Sequence, residues 1–310
     1  MTSAPFPAWL EPLGHGIFAI DTGFQRPRFD AAYLLVHAGR AAFIDTGTNH
    51  AVPRLLGALE ALGLSREAVD FVIPTHVHLD HAGAAGLLMQ QLPNAKLVVH
   101  PRGARHMIDP RVLLDGARAV YGADEVARTY GELQPVPAER VLESADGQVL
   151  ELAGRPLLFI DSPGHAKHHH CIWDERSRGW FTGDTFGLSY PECEALKQSV
   201  ARMLARDPVC MYLTHYSRVT EVPRLAEGLI EQVDAMVALA LPLAAAPDRH
   251  ARLMAGHGAL YRDRLRALGS PLSDDQIASL LALDVELNAQ GLEVWLDRQA
   301  QATESGAKAG

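Results

Sequence analysis

The 310-residue chain predicts an α/β fold with a helical C-terminal third. Three observations carry that prediction. Short apolar runs rich in β-branched and aromatic residues end at Gly, Asp or Pro, as strands do. Stretches with apolar residues at helical spacing lie between those runs, the alternation expected of sheets covered by helices. From Glu221 onward only helical spacing remains.

In chain order, the expected strands are GIFAID, AAYLLVH, AAFIDT, FVIP, LVVH, PLLFID, CIWD, GWFTGD and MYLTH. Helices are expected over 51–62, 82–91, 102–107, 111–130 and 192–205, and then over 222–246, 248–267 and 274–302. Ser273, followed by Asp274 and Asp275, marks an N-cap region for the last of these. The tail QATESGAKAG is small and polar, and fraying is expected there. The tetrapeptide IDTG occurs at 20–23 and at 44–47, which is too little to be a repeat.

Composition narrows the function. The formal net charge is −9, and the arginines between 102 and 128 are interleaved with Asp109, Asp115, Asp124 and Glu125. A nucleic-acid binder needs a basic stripe, so a polyanionic partner is not expected. Cys171, Cys193 and Cys210 form neither a disulfide framework nor a Cys-x-x-Cys pair, which fits a reducing compartment. The opening MTSAPFPAWLEPLG has no basic start followed by an apolar run. AMVALALPLAAA is too short to span a bilayer and is broken by Pro242. A cytoplasmic protein with no membrane partner is expected.

The chemistry concentrates in FVIPTHVHLDHAG, residues 71–83. A strand ends at Pro74; His76, His78, Asp80 and His81 follow, and a helix opens near Ala82. On extended chain His76 and His78 point to one side. Asp80 and His81, at the junction of loop and helix, can diverge toward a second centre. A hydrated polar loop is the plain alternative, but here the Asp and His residues alternate with small or apolar ones. Three later strand ends repeat the arrangement with one group each: His165 after Pro163–Gly164, Asp184 between Gly183 and Thr185, and His215 in MYLTHYS. Each alone reads as a capping or loop residue. Together the segments supply five imidazoles and two carboxylates, a donor set that suits two divalent metals.

THVHLDH, PGH, TGD and THY, in this order, resemble the metallo-β-lactamase superfamily over roughly residues 15–220. The resemblance implies an αββα sandwich with the metal site at one edge. It implies that His76, His78 and His165 hold one metal, that Asp80, His81 and His215 hold another, and that Asp184 bridges them. Residues 1–220 are expected to form the catalytic domain and 221–310 a helical extension packed on it. Asp45 matches a position behind the ligands in relatives, although an N-cap for helix 51–62 accounts for it equally well. In DSPGHAKHHHC, His165 is the implied ligand and His169 matches a histidine of glyoxalase II-like members. Ala166 and His168 depart from that subgroup's motif. His168, His169 and His170 are expected on alternating sides of the next strand, with at most one of them facing the site and His168 and His170 as plain strand residues.

His15, His37, His50, His100, His106, His250 and His257 lack ligand-spaced partners and are expected in loops or satisfied at the surface. Trp173, Trp180 and Trp295 are expected in the core. The reading is a hydrolase with two divalent metals, zinc foremost and iron or manganese as alternatives. A metal-activated water, oriented by Asp80, would attack a small-molecule ester, thioester, lactone or related bond. One rival is a persulfide dioxygenase using one iron on His76, His165 and Asp184. Others are a flavodiiron oxidoreductase, an RNA-processing nuclease of the same fold, and a binding protein that has lost activity. The flavodiiron pattern has glutamate where His78 stands. Walls of the pocket are expected from His100 to Glu139 and from the helices after Glu221, and a homo-oligomer is compatible with the sequence.

Overall fold

The computed structural model describes residues 6–187 and 192–307. Met1–Pro5, part of the expected leaderless opening, and 308–310, the end of the expected frayed tail, lie outside them.

Two sheets stack face to face. The first has seven strands in sequential order: β1 (Leu10–Gly14), β2 (Ile17–Asp21), β3 (Ala31–His37), β4 (Arg40–Ile44), β5 (Val69–Ile73), β6 (Lys96–Val99) and β7 (Val141–Glu143). The second contains β8 (Val149–Leu152), β9 (Arg155–Asp161), β10 (His170–Asp174), β11 (Gly179–Gly183), β12 (Cys210–Leu213) and β13 (Ser217–Val219), and runs in the order β13-β12-β11-β10-β9-β8.

Each central strand is apolar on both faces because both faces are covered. In β3, Ala31, Tyr33 and Leu35 join the core between the sheets, while Ala32 and Leu34 pack outward. In the second sheet, Leu157, Phe159, Phe181 and Tyr212 face the first sheet, and Ile160, Trp173 and Trp180 face outward. Helices α1 (Val52–Ala61), α2 (Leu79–Ala82), α3 (Ala85–Gln91) and α4 (Pro101–Ile108) cover the outer face of the first sheet. The outer face of the second sheet is covered by α7 (Cys193–Leu204) and the first half of α8 (Val222–Ala240). The layers are therefore helix, sheet, sheet, helix.

The second half of α8 leaves the sheet. Met236 and Ala240 form a separate apolar core with α9 (Arg249–Ala267) and α10 (Asp274–Ala307), and Trp295 packs against it. The α10 N-terminus closes a capping box: Ser273 Oγ accepts from the Gln276 N–H, and Gln276 Oε1 accepts from the Ser273 N–H.

Several expectations are corrected. The helix expected over 111–130 is two, α5 (Arg111–Tyr121) and α6 (Ala123–Tyr130), interrupted at Gly122, whose φ is 85°. The helix over 82–91 is split at Ala84, and 222–246 ends in a short turn at Leu241–Leu243 where Pro242 cannot continue it. The backbone of α10 continues to Ala307 rather than fraying from Gln301. Strands β1, β7, β8 and β13 were not foreseen.

Candidate metal centre

The site forms where strand ends from both sheets converge. Strands β4 and β5 run parallel, as do β11 and β12, and β9 is antiparallel to β10, which is antiparallel to β11. The C-terminal ends of β4, β5, β9, β11 and β12 thus meet along one edge and deliver Asp45, His76, His165, Asp184 and His215. Beyond β5 the alternation of extended chain sends Val77 into the core and leaves His76 and His78 on the opposite side. The short α2 then carries Asp80 and His81.

Two glycines let the later loops approach. Gly164 has φ 140°, and a Cβ there would lie 2.5 Å from the Leu196 Cα. Gly183 has φ 48°, and a Cβ would lie 2.5 Å from both His169 Nε2 and Thr75 Oγ1. Only glycine fits these two backbones.

Two groups of ligand atoms result, His76–His78–His165–Asp184 and Asp80–His81–His215. His78 Nδ1 lies 2.9 Å from His76 Nε2 and 3.0 Å from His165 Nε2. Asp184 Oδ2 is 3.3 Å from His165 Nε2 and 3.8 Å from His76 Nε2. Metal–nitrogen bonds of 2.0–2.1 Å place tetrahedral donors about 3.3 Å apart, close to these separations. In the second group, Asp80 Oδ2 is 3.6 Å from His81 Nε2 and 3.7 Å from His215 Nε2. Asp184 reaches this group as well, at 3.2 Å from His81 Nε2 and 3.5 Å from His215 Nε2. Its carboxylate stands between the two groups.

The donor set fits divalent cations on a further ground. His81 Nε2 and Asp184 Oδ1 are buried and make no well-aligned hydrogen bond, which is costly unless something else satisfies them. Electrostatics point the same way. Burial holds His76 and His165 well below the ordinary histidine range. Burial also opposes charge on His81 and His215, yet the nearby carboxylates, Asp184 above all, keep His81 well above that range and His215 at about 10. Asp184, against its own burial, is held well below the carboxylate range by His81, His215 and His165. The pocket calls for positive charge at its centre.

The outward-facing ring atoms are held in turn, which fixes ring orientation. Asp45 accepts from the Thr75 N–H at 2.7 Å, from the Thr75 and Thr214 hydroxyls, and lies 3.3 Å from His81 Nδ1. It does not cap α1, whose N-terminus has no side-chain cap. His215 Nδ1 donates to the Phe29 carbonyl at 3.2 Å. His169 is buried, stacks 4.8 Å from His76 between ring centres, and accepts the Asp184 N–H at 3.2 Å.

The histidine run is corrected. His168 and His169 precede β10, and both lie beside the site; His168 accepts the Val77 N–H and packs 5.5 Å from the His78 ring. His170 is a buried structural residue tied to Ser144 Oγ and the Pro74 carbonyl. His257, expected to be satisfied at a loop or surface, is 0% exposed inside the C-terminal bundle. His100 caps α4 by accepting the Arg102 N–H, and His250 pairs with Glu293.

Sequence reasoning missed Asp30. It is 0% exposed, accepts from Thr22 Oγ1 at 2.7 Å, and is within electrostatic reach of His215 and His81. Burial pushes its carboxyl up to about 7. No spacing signal marks it, because it approaches from the distant β2–β3 loop. The same loop brings Phe29, whose ring centre is 5.3 Å from that of His215.

Comparison with known proteins agrees with this fold. The chain is 25% identical over 180 residues to a metallo-β-lactamase fold-containing protein of Sulfurisphaera tokodaii, covering 56% of this chain and 64% of that one. It is 27% identical over 242 residues to a human acyl-coenzyme A thioesterase, covering 72% and 75%. Against an Aspergillus fumigatus atrochrysone carboxyl ACP thioesterase it is 27% identical over 154 residues, 49% of this chain and 38% of that one. The matches thus span only part of some relatives. A solved metallo-β-lactamase family protein from Thermus thermophilus superposes with a TM-score of 0.69 at 22% identity, covering 93% and 95%. The profile of the metallo-β-lactamase superfamily matches residues 25–215, from the loop before β3 to His215, and the chain belongs to that superfamily.

Proposed function

We propose that this protein is a hydrolase with two divalent metals, zinc foremost, acting on a small-molecule ester or thioester. The observation that carries the reading is the carboxylate of Asp184 standing between two complete donor groups. His76, His78 and His165 would hold one ion, Asp80, His81 and His215 the other, and Asp184 both. Two ions held this way supply a low-pKa water and a Lewis acid for the acyl oxygen.

The chain's own residues do the rest. Asp80 is about one quarter exposed at its side chain and directs Oδ2 into the second group, so it can orient the attacking water and accept its proton. Asp45 holds His81 by Nδ1, and the Phe29 carbonyl holds His215 by Nδ1, which keeps both Nε2 atoms turned inward. Thioester cleavage is supported by the thioesterase names of two relatives. The dioxygenase reading needs one iron and leaves Asp80, His81 and His215 without a task. We assign residues 1–220 to catalysis and 221–310 to a helical outer wall. We place the protein in the cytoplasm, as its three cysteines are free and buried.

Metal analysis of protein purified without added metal, followed by a panel of chromogenic esters, thioesters, lactones and phosphodiesters, tests the proposal. Two metals per chain and turnover of an ester or thioester are expected. One iron per chain with no second metal would overturn it.

A further inference from the structure

The loop between β2 and β3 carries a feature that the metal centre does not use. Its sequence from Gly23 to Phe29 is GFQRPRF. Its ends are stitched to the site: the Thr22 N–H donates to the Asp30 carbonyl at 3.0 Å, and the Ala31 N–H to the Thr214 carbonyl at 2.8 Å. Phe29 packs on His215, and the buried Phe24 lies beneath at 6.0 Å from Phe29 and 5.9 Å from Tyr130 of α6. The Arg26 guanidinium lies 4.2 Å over the Phe29 ring.

Arg26 is exposed and forms no ion pair among the described residues. Other arginines without an ion pair, such as Arg66, Arg102, Arg140 and Arg218, are hydrogen-bonded to other groups of the chain, whereas the guanidinium of Arg26, like that of Arg206, rests against an aromatic ring. A guanidinium held over an aromatic ring by a cation–π contact uses none of its N–H donors there, and such donors receive carboxylate or phosphate. Here the guanidinium is one ring away from His215. Asp284 of α10 faces the same corner, within electrostatic reach of both His215 and Arg26.

We propose that Arg26 is an anion-binding residue of the substrate site: it receives a carboxylate or phosphate group of the substrate, and Phe29 and Tyr130, backed by Phe24, carry the apolar part beside it. The substrate class is an acyl ester or thioester bearing such a group, on either the acyl or the leaving side. The substrate class rests on the hydrolase reading; the anion site does not.

The test uses the full-length, metal-loaded protein and three thioesters. Butyryl-coenzyme A carries phosphates on the leaving side. The glutaric acid monothioester of N-acetylcysteamine carries a carboxylate on the acyl side, and butyryl N-acetylcysteamine carries no charge. For Arg26→Gln, KM should rise about tenfold or more on one anionic substrate, with kcat nearly constant and the neutral substrate unaffected. Arg26→Lys should recover part of the loss. Asp284→Asn, which removes a negative charge from the same corner, should lower KM on that anionic substrate. Equal changes on all three substrates, or none, would overturn the proposal. Calorimetric titration of coenzyme A and of glutarate is run in parallel. If no thioester is cleaved, the thioesterase reading fails, and the anion site stands or falls on whether either titration shows binding that Arg26→Gln abolishes.

Discussion

Asp184 and Asp80 are both carboxylates at the centre, but their surroundings assign them different failures. Asp184 is buried and serves both groups, so Asp184→Ala should lose at least one metal and, with it, folding free energy, since metal binding is coupled to folding. Asp80 serves one group and is partly open to solvent. Asp80→Asn should keep the metal held by His76, His78 and His165 while turnover falls by orders of magnitude. Metal content and turnover of both variants check this; full turnover of Asp80→Asn would remove it from the chemistry. Asp45 is buried behind the donors, where it fixes Thr75, His81 and Thr214. Asp45→Ala should cost about 10–100-fold in metal affinity or activity, as loss of such supporting partners does. The histidine run separates in the same way. His165→Ala should lose metal and activity. His170→Ala leaves the Ser144 hydroxyl without its partner and should cost about 1–3 kcal/mol of stability with metal content unchanged, measured by denaturant unfolding of metal-loaded protein. All seven candidate ligands were legible because strand-end motifs are local. Asp45's role was not settled by sequence, because the choice between capping α1 and bracing His81 depends on a loop 36 residues away.

At the level of elements, the edge opposite the site is held by a buried ion pair. Arg155, at the start of β9, makes two parallel hydrogen bonds of 2.7 and 2.6 Å to Asp174, at the end of β10, and a third to the His15 carbonyl of the first sheet. Burial works against the Asp174 charge, but Arg155 and Ser177 hold its carboxyl below the usual range. Stability from the pair is therefore fully present above about pH 4, where the unfolded carboxylate is already ionised, and is lost as pH falls through the lower folded value. Arg155→Ala should cost about 3–5 kcal/mol, by leaving the carboxylate buried without its partner. Metal content should not change, and a loss of metal would show that this edge is coupled to the site. Nothing in the sequence joins Arg155 to Asp174. Elements that pack on two covered faces were readable from their apolar runs. The short edge strands β1, β7, β8 and β13 were not, since half-exposed residues such as Val141 and Val149 leave no continuous apolar signal.

Over the whole molecule, the C-terminal bundle has its own core and its own pH response. No helix among the described residues is long and apolar enough to cross a membrane. His257 is buried in α9, stacked on Tyr261, and burial pushes its pKa down to about 4. The unfolded ring titrates near 6.5, so the folded state loses stability as pH falls from about 6.5 to about 4, up to about 3 kcal/mol over that span. His257→Phe should flatten this limb of the stability curve, measured by thermal unfolding from pH 7 to pH 4. An unchanged limb would assign the acid sensitivity to other groups. The helices were legible as helices from apolar spacing. That α8 serves two cores, one under the sheet and one in the bundle, was not, because its apolar stripe is continuous.

The two sheets are also two uninterrupted halves of the chain, strands β1–β7 followed by β8–β13. His76, His78, Asp80 and His81 belong to the first half, and His165, Asp184 and His215 to the second. During synthesis, the first half leaves the ribosome with four donors and no complete group. The group of His76, His78, His165 and Asp184 is complete only once the chain has grown past Asp184, and that of Asp80, His81 and His215 only past His215, so a metal fully held at either group would close that part of the folding sequence, not begin it. A metal held there would work as a clasp between an early and a late half of one polypeptide.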